Sequence, residues 1–364
     1  MNILFNASHP ANFHLFKNAM EILQQKGHKV LLTVIDKDVL GHLIDSDPLA
    51  LKFDCRIVGC NTGSVINKFA GLIQSEVNLL KISKEFKPDI LVGACGNLYV
   101  AHVGKMLGKP SVIFDTNENA LVQHCLTDPF ASVICTPSCY TRDLGAKQIR
   151  YAGYHELAYL HPNYFRPNPE VLDEVGLSKS DRFTVIRLVS WNAVHDIGEH
   201  GIKNIGEVVQ EIEKKSEVLI SSETALPNNL DKYRIKLAPN KFHDLLYYAS
   251  LYIGEGSTTA SECSILGTHA IYINTIKLGY TIEQETKYNL LYHFTPRSQD
   301  RLSGLTHAIK LLDNPRLREE GKLKSGKMLQ DKIDVTKYMV WFIEEYPLSY
   351  DTMKTTPEYQ TNFK

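Results

Sequence analysis

Residues 254–262 (GEGSTTASE) have the composition of an anion-binding turn. They follow a short apolar run and open a segment with helical spacing that ends at Gly267. Glycine lets a bound group approach the backbone closely, and the unpaired N–H groups and dipole of a helix N-terminus favour negative charge. The turn therefore predicts a binding site for a phosphate or diphosphate. The residues predicted to contact that group are Gly256, Ser257, Thr258 and Thr259.

The residues around this turn indicate which kind of phosphate-containing ligand it would bind. Glu262 lies one turn into the predicted helix, where its carboxylate can accept hydrogen bonds from ribose hydroxyls. The G-x-G-x-x-G pattern of dinucleotide-binding folds does not follow the first strand of either half of the chain. The alternative is an ordinary helix start, in which the Ser257 hydroxyl satisfies the first N–H groups.

The loop after the first predicted strand, residues 6–14 (NASHPANFH), carries His9 and His14. An imidazole titrates near neutral pH and can take a proton from a hydroxyl nucleophile, so both are candidate general bases. His14 falls off the apolar stripe of the following helix, which predicts that it lies outside the core. The alternative for either histidine is a hydrogen bond that caps the loop.

Other polar residues stand near the ends of predicted strands. Arg187 lies in the first strand of the second half, where a buried guanidinium needs an anionic partner such as a diphosphate. Asp115 is a third candidate catalytic residue, which either orients a sugar or acceptor or caps the next helix. His195, Asp196 and His243 are further candidates for the same ligand site. The spacing of His195 and Asp196 is not that of a metal motif, so we expect no metal ion.

Short apolar runs alternate with helical patterns from one end of the chain to the other. This alternation predicts an α/β fold with two doubly wound, Rossmann-like domains. We place them at 1–152 and 181–346, the latter including closing helices, with a linker at 153–180 and a mobile tail at 347–364. Ligands of such sheets bind beyond the carboxyl ends of the strands, so we expect the site in the cleft between the domains.

The composition excludes several classes of function. The 364 residues include 40 Lys and Arg against 41 Asp and Glu, so no global basic surplus exists to bind nucleic acid or an anionic membrane, although a local basic patch is allowed. The 7 cysteines form no C-x-x-C pair and are expected to be reduced thiols in the cytoplasm. No apolar run reaches the length of about 18 residues that a membrane span needs.

Taken together, these motifs resemble the GT-B sugar-nucleotide enzymes, and most closely a prokaryotic family known as domain of unknown function 354. The resemblance covers residues 1 to about 345. The segments that carry it are His9-Pro10, His14, residues 153–162 (GYHELAYLHP), Arg187, residues 193–196 (AVHD) and residues 243–262.

The resemblance implies a GT-B fold in which the turn at Gly256 to Thr259 holds a diphosphate and Glu262 holds the ribose. It implies a metal-independent glycosyltransferase that moves a sugar from a nucleotide-sugar, most naturally a UDP-sugar, to a hydroxyl acceptor in surface polysaccharide or glycolipid synthesis. The first domain would bind the acceptor and the second the nucleotide-sugar, which acts as co-substrate, with no other cofactor.

Two alternatives come with the resemblance. The first is a non-hydrolysing UDP-N-acetylglucosamine 2-epimerase, although such epimerases carry Ser-Gly-Gly where this chain has GST at 256–258. The second is a protein that binds a sugar nucleotide without catalysis. Further expectations are a cytoplasmic location, a homodimer, and contact with the inner face of the membrane if the acceptor is lipid-linked.

Overall fold

A computed structural model describes residues 1–36, 40–41, 44, 47–60, 65–94, 97–189, 205–223 and 225–364. The chain divides into two compact units. Unit 1 comprises Met1–Tyr164 and Lys332–Lys364, and unit 2 comprises Phe165–Asp331. No helix among these residues is long and apolar enough to cross a membrane.

Unit 1 is built on a parallel sheet of seven described strands in the order β3-β2-β1-β4-β5-β6-β7. The strands are β1 Asn2–Ala7, β2 Lys29–Asp36, β3 Asp54–Cys60, β4 Ile90–Ala94, β5 Ser111–Phe114, β6 Val133–Pro137 and β7 Gln148–Tyr151. Between them lie α1 Pro10–Gln25, α2 Val65–Phe86, α3 Leu98–Leu107, α4 Leu121–Thr127 and, after β7, α5 Leu157–Leu160. Short 3-10 helices occupy Ala50–Lys52 and Gly145–Lys147.

Unit 2 has a parallel sheet of five described strands in the order β12-β11-β10-β8-β9. These strands are β8 Phe183–Leu188, β9 Glu217–Ser222, β10 Leu251–Gly254, β11 His269–Ile273 and β12 Leu291–Phe294. The helices are α6 Glu170–Glu174, α7 Ile205–Glu213, α8 Phe242–Tyr248, α9 Ser257–Leu266, α10 Gly279–Thr286, α11 Ser298–Leu312 and α12 Leu317–Asp331. Short 3-10 helices lie at Asn228–Tyr233 and Pro239–Lys241.

Both sheets follow from the apolar runs in the sequence. A parallel strand that is covered on both faces must be apolar along its whole length, and every residue of β4, β5, β10 and β11 is buried. Gly108 and Gly267 end α3 and α9 in the left-handed conformation that glycine adopts without strain. The predicted α/β class with two doubly wound sheets is therefore confirmed.

The end of the chain differs from the predicted boundaries. Residues Lys332–Lys364 belong to unit 1 and contribute α13 Val335–Glu344, α14 Leu348–Thr355 and a 3-10 helix at Pro357–Phe363. The segment from 347 onward was expected to be a mobile tail, but its Phe363 ring lies 5.2 Å from Trp341 and 5.8 Å from Tyr338. These aromatic contacts hold the last residues against α13.

Candidate functional site

The predicted phosphate turn lies at the start of α9 in unit 2. Gly256 is the N-cap residue, with φ −88° and ψ 122°, and it has no side chain to cap the helix. The first N–H groups of a helix have no intrahelical acceptor, so those of Ser257, Thr258 and Thr259 are directed toward the carboxyl edge of the sheet. The Ser257 hydroxyl hydrogen-bonds Tyr272. The turn thus combines small side chains with a helix N-terminus that no side chain in the described part of the chain caps, as suits an anion site.

The ends of the two strands that neighbour β10 hold this turn in place. Glu255 Oε2 accepts a hydrogen bond from the N–H of Val189, just after β8, at 2.9 Å. The Asn274 side chain, just after β11, donates to the Glu255 carbonyl at 2.9 Å and accepts from the N–H of Ile276 at 3.0 Å. The strand order reverses between β8 and β10, which is where doubly wound sheets bind ligands. Glu255 and Asn274 therefore stabilise the turn at the point where a ligand is expected.

A buried tyrosine lies below the turn. The Tyr252 side chain is fully buried, and its hydroxyl has no hydrogen-bond partner among the residues that the structure describes. Burial raises the pKa of Tyr252 well above its ordinary value. A Cβ placed on Gly254 would lie 2.2 Å from this hydroxyl, so residue 254 must be glycine for the strand and tyrosine to fit together.

Glu262 lies on α9 and is paired with a histidine. Its Oε1 lies 3.0 Å from Nε2 of His243 on α8, and both side chains are largely buried. Phe165 packs edge-on against the His243 ring with centroids 6.4 Å apart. This contact orients the carboxylate and brings together two residues that the sequence suggested separately.

The environment of Arg187 differs from the predicted one, in which a buried guanidinium needs an anionic ligand. Its side chain is one-quarter exposed, and its guanidinium donates to Ser221 Oγ at 2.8 Å and to Glu223 Oε1 at 3.0 Å. The guanidinium also lies 5.5 Å from the centroid of the Phe242 ring. The protein itself supplies an anionic partner, because Arg187 is far enough toward the strand end for Glu223 to reach it.

The two histidines of the first loop occupy different environments in unit 1. His9 is the exposed N-cap of α1, and its Nδ1 accepts the N–H of Ala11 at 3.2 Å, as the capping alternative requires. His14 is buried, and its ring packs 5.2 Å from that of Tyr159 in α5. The prediction that His14 lies outside the core is wrong, because α5 covers the side of α1 that the apolar stripe leaves open.

Asp115 belongs to a buried polar network at the end of β5. Its Oδ1 accepts the N–H of Asn117 at 2.8 Å, and its Oδ2 accepts the Tyr140 hydroxyl at 3.2 Å and lies 3.4 Å from His124 Nε2. The other His124 nitrogen lies 3.1 Å from Asp128. Burial lowers the pKa of His124, but the hydrogen bond to Asp128 and the charge of Asp115 raise it, and the net shift is upward.

Sequence reasoning missed several of these residues. It did not identify Tyr252 or Asn274 in unit 2, nor His124 and Tyr140 in unit 1. His124 on α4, four residues before Asp128 at the C-terminal end of this helix, was the one visible signal for the Asp115 network. The predicted residues His195 and Asp196 lie outside the described part of the chain, and within that part no group of His, Cys, Asp and Glu could hold a metal ion.

Several solved structures share this fold over nearly their whole length. Spinosyn Forosaminyltransferase SpnP is 14% identical, with 95% of this chain and 100% of that chain covered and a TM-score of 0.64. Spinosyn Rhamnosyltransferase SpnG is 15% identical, again with 95% of this chain and 100% of that chain covered, and has a TM-score of 0.59. The UDP-GlcNAc 2-epimerase from Neisseria meningitidis was solved with UDP-GlcNAc bound. It is 12% identical, with 95% of this chain and 100% of that chain covered, and has a TM-score of 0.64. The chain therefore has the GT-B fold of glycosyltransferases and UDP-GlcNAc 2-epimerases.

No curated protein sequence matches the chain. Residues 2–322 match a protein family model. The matched region covers nearly the whole of the described fold and includes the turn at α9, the His243–Glu262 pair and the Asp115 network. The chain belongs to the family described as Protein of unknown function (DUF354).

Proposed function

We propose that this protein is a GT-B glycosyltransferase that moves a sugar from a nucleotide-sugar to a hydroxyl acceptor. The observation that carries the proposal is the N-terminus of α9, which no described side chain caps and which Glu255 and Asn274 fix at the switch point of the second sheet. Solved relatives with this fold include named glycosyltransferases, and the N. meningitidis relative was solved with a UDP-sugar. A UDP-sugar is accordingly the first donor to test.

The donor would bind through unit 2. The N–H groups of Ser257, Thr258 and Thr259 would stabilise the charge that develops on the leaving diphosphate, the role that a metal ion has in other transferases. Glu262, oriented by His243, would accept hydrogen bonds from the ribose hydroxyls. Arg187 would add positive charge once Glu223 gives way to the phosphate, since their ion pair is partly exposed and therefore weak.

The acceptor hydroxyl would be activated from unit 1. We propose His14 as the general base, with His9 and Asp115 as the other candidates; because His14 is buried under Tyr159, this role requires that the acceptor hydroxyl reach its ring. The His9 Nδ1 already accepts a backbone N–H, so in the neutral ring the proton resides on Nε2 and this histidine is less suited to take another. Surface polysaccharide or glycolipid synthesis, in the cytoplasm, is the process we propose for the reaction, and a homodimer is the proposed assembly.

A 2-epimerase is the second candidate function. The N. meningitidis epimerase and the SpnP transferase have the same TM-score against this chain, 0.64. An epimerase would need an acid and a base to move the sugar C2 proton, and Asp115 and His124 would supply a carboxylate and an imidazole 3.4 Å apart. It would convert the donor without an acceptor, and the sugar C2 proton would exchange with solvent.

Proton NMR in D2O with UDP-, GDP-, CMP- and dTDP-sugars, without acceptor, tests these proposals. Saturation transfer to one nucleotide family with at most slow hydrolysis supports the transferase and names the donor. Deuterium at C2 together with a new sugar supports the epimerase instead. If no sugar nucleotide binds, the function proposed for the turn is wrong.

A variant pair links this binding to the proposed residues. Glu262→Ala is expected to weaken the nucleotide about tenfold or more, because hydrogen bonds to a charged group are lost. Glu213→Ala is the matched control, since it removes an exposed carboxylate at the end of α7. If both variants bind like the unchanged protein, Glu262 does not hold the ribose.

A further inference from the structure

One face of α4 in unit 1 carries apolar side chains that the fold leaves exposed. Leu121, Val122 and Leu126 are between 44% and 70% exposed, whereas His124 and Thr127 on the opposite face are buried. A surface helix normally turns its apolar face to the core and its polar face to water. In α4 the buried face is polar because His124 belongs to the Asp115 network, so the apolar face is the outer one.

Neighbouring residues extend this apolar face. The His102 ring on α3 donates to the Leu126 carbonyl at 2.8 Å and packs edge-on against Phe130 with centroids 4.6 Å apart. Phe130 and Met106, which lies one turn after His102, are 42% and 54% exposed. The α4 surface, as we call it, consists of Met106, Leu121, Val122, Leu126 and Phe130.

Lysines border the α4 surface. Lys105, Lys109 and Lys147 line, together with Phe130, an open groove of about 490 Å³. The Lys147 ammonium donates to the carbonyl of Pro129 at 2.8 Å, which places it at the end of α4. Lys109 lies 3.8 Å from the exposed Asp89, a separation at which solvent screens most of the attraction.

Two further carboxylates next to this surface are hydrogen-bonded to histidines. Glu76 lies 3.0 Å from His102, and Asp128 lies 3.1 Å from His124. Their charge is directed toward these imidazoles rather than toward the lysines. The border of the α4 surface therefore has positive charge to offer an anionic partner.

We propose that the α4 surface binds an anionic lipid bilayer. Its apolar side chains would enter the boundary between headgroups and acyl chains, and the bordering lysines would lie among the lipid phosphates. A protein partner would also cover apolar side chains, but exposed leucines bordered by lysines match the acyl chains and the anionic headgroups of a membrane surface. The binding does not depend on the proposed transferase activity, because no residue of the α9 turn takes part.

Co-sedimentation of the full chain with vesicles tests the proposal. We expect binding to vesicles of phosphatidylglycerol and phosphatidylcholine, little binding to pure phosphatidylcholine, and a loss of binding at high salt. The double variant Leu121→Glu/Val122→Glu is expected to bind about tenfold or more weakly. Lys105→Gln/Lys109→Gln is expected to weaken binding to the anionic vesicles severalfold.

The matched control is Leu51→Glu/Ile57→Glu. These residues are 72% and 62% exposed and lie at the β3 edge of the same sheet, so they test added negative charge away from the α4 surface. Thermal melting confirms that each variant is folded. Donor binding is measured separately without vesicles, so that a failure of the proposed transferase function can be distinguished from a failure of the lipid proposal.

Specific outcomes would overturn the lipid proposal. One is the absence of binding to anionic vesicles, and another is an equal loss in the β3-edge control. A third outcome combines no vesicle binding with a concentration-dependent dimer in sedimentation velocity that Leu121→Glu/Val122→Glu abolishes. The α4 surface would then join two copies of the chain.

Discussion

His124 shows how buried residues of unit 1 decide the charge at the candidate catalytic edge. It contacts Asp115, Asp128 and the Tyr140 hydroxyl, and the net shift of its pKa is upward. A histidine whose pKa is raised on folding stabilises the protein fully below its unfolded pKa of about 6.5, and this stabilisation is lost as the pH rises through the folded value.

We therefore expect His124→Gln to destabilise the protein by about 2 kcal/mol at about pH 5.5 and by clearly less at about pH 8.5. Urea unfolding of both proteins at each pH measures the difference. The matched control is His102→Gln, which removes a histidine of α3 that also pairs with one carboxylate but lies outside the network. An equal destabilisation at the two pH values would mean that folding does not raise the pKa of His124.

At the scale of elements, α9 is the helix whose N-terminus is predicted to bind the ligand. Its N-cap is Gly256, and a Cβ at this position would meet only ordinary contacts, with Val189 at 3.8 Å and Thr259 at 3.9 Å. The backbone at 256 is extended, so a residue with a side chain fits there without strain. Gly256 can therefore be replaced by a residue with a side chain, whereas Gly254 cannot.

Gly256→Asp should separate the two interpretations of this turn. An aspartate N-cap satisfies the first N–H groups and favours the helix dipole, so the melting temperature should stay the same or rise slightly. If these N–H groups bind a diphosphate, the carboxylate competes with it and nucleotide binding falls at least tenfold. Calorimetric titration measures the affinity, with Gly256→Ala as the uncharged control. Unchanged affinity in Gly256→Asp would indicate a purely structural helix start.

Lys322 on α12 supports the same element. Its ammonium donates to the carbonyl of Leu266 at the end of α9 and to that of Tyr247 near the end of α8, the latter at 2.9 Å. Both helices carry one member of the His243–Glu262 pair. Burial lowers the pKa of Lys322 to about 7, and its amine can donate to both helix C-termini in either protonation state, which holds α8 and α9 together beside the paired side chains.

For the whole molecule, each unit contains a buried histidine that resists protonation. Burial lowers the pKa of His155 in unit 1 and of His269 in unit 2 to about 3. Between about pH 6.5 and pH 3 the unfolded chain therefore binds protons that the folded chain excludes. The free energy of unfolding should fall by about 1.4 kcal/mol per pH unit for each histidine as the pH is lowered.

Unfolding measured between about pH 6.5 and pH 5, above the range in which most carboxylates titrate, tests this expectation. His155→Gln and His269→Gln should each flatten the pH dependence relative to the unchanged protein, whatever their effect on the absolute stability. A slope that neither variant alters would show that both imidazoles become protonated in the folded state.

Local patterns in the sequence determined the strands, the helices and the glycine-containing turn at the start of α9. Apolar runs, helical spacing and helix-stopping glycines act over a few residues, so β10, α9 and Gly267 could be predicted from the chain alone. The resemblance to the family also rests on such short ordered segments, and the match over residues 2–322 confirms it.

Tertiary structure alone decided which distant residues meet. His14 is buried because Tyr159 packs on it, Glu262 is oriented because His243 reaches it, and the last residues return to unit 1 through ring contacts. The α4 surface likewise combines residues of two helices and a loop with lysines from three segments. Such contacts depend on how the chain closes over long separations, and neither spacing nor composition specifies that closure.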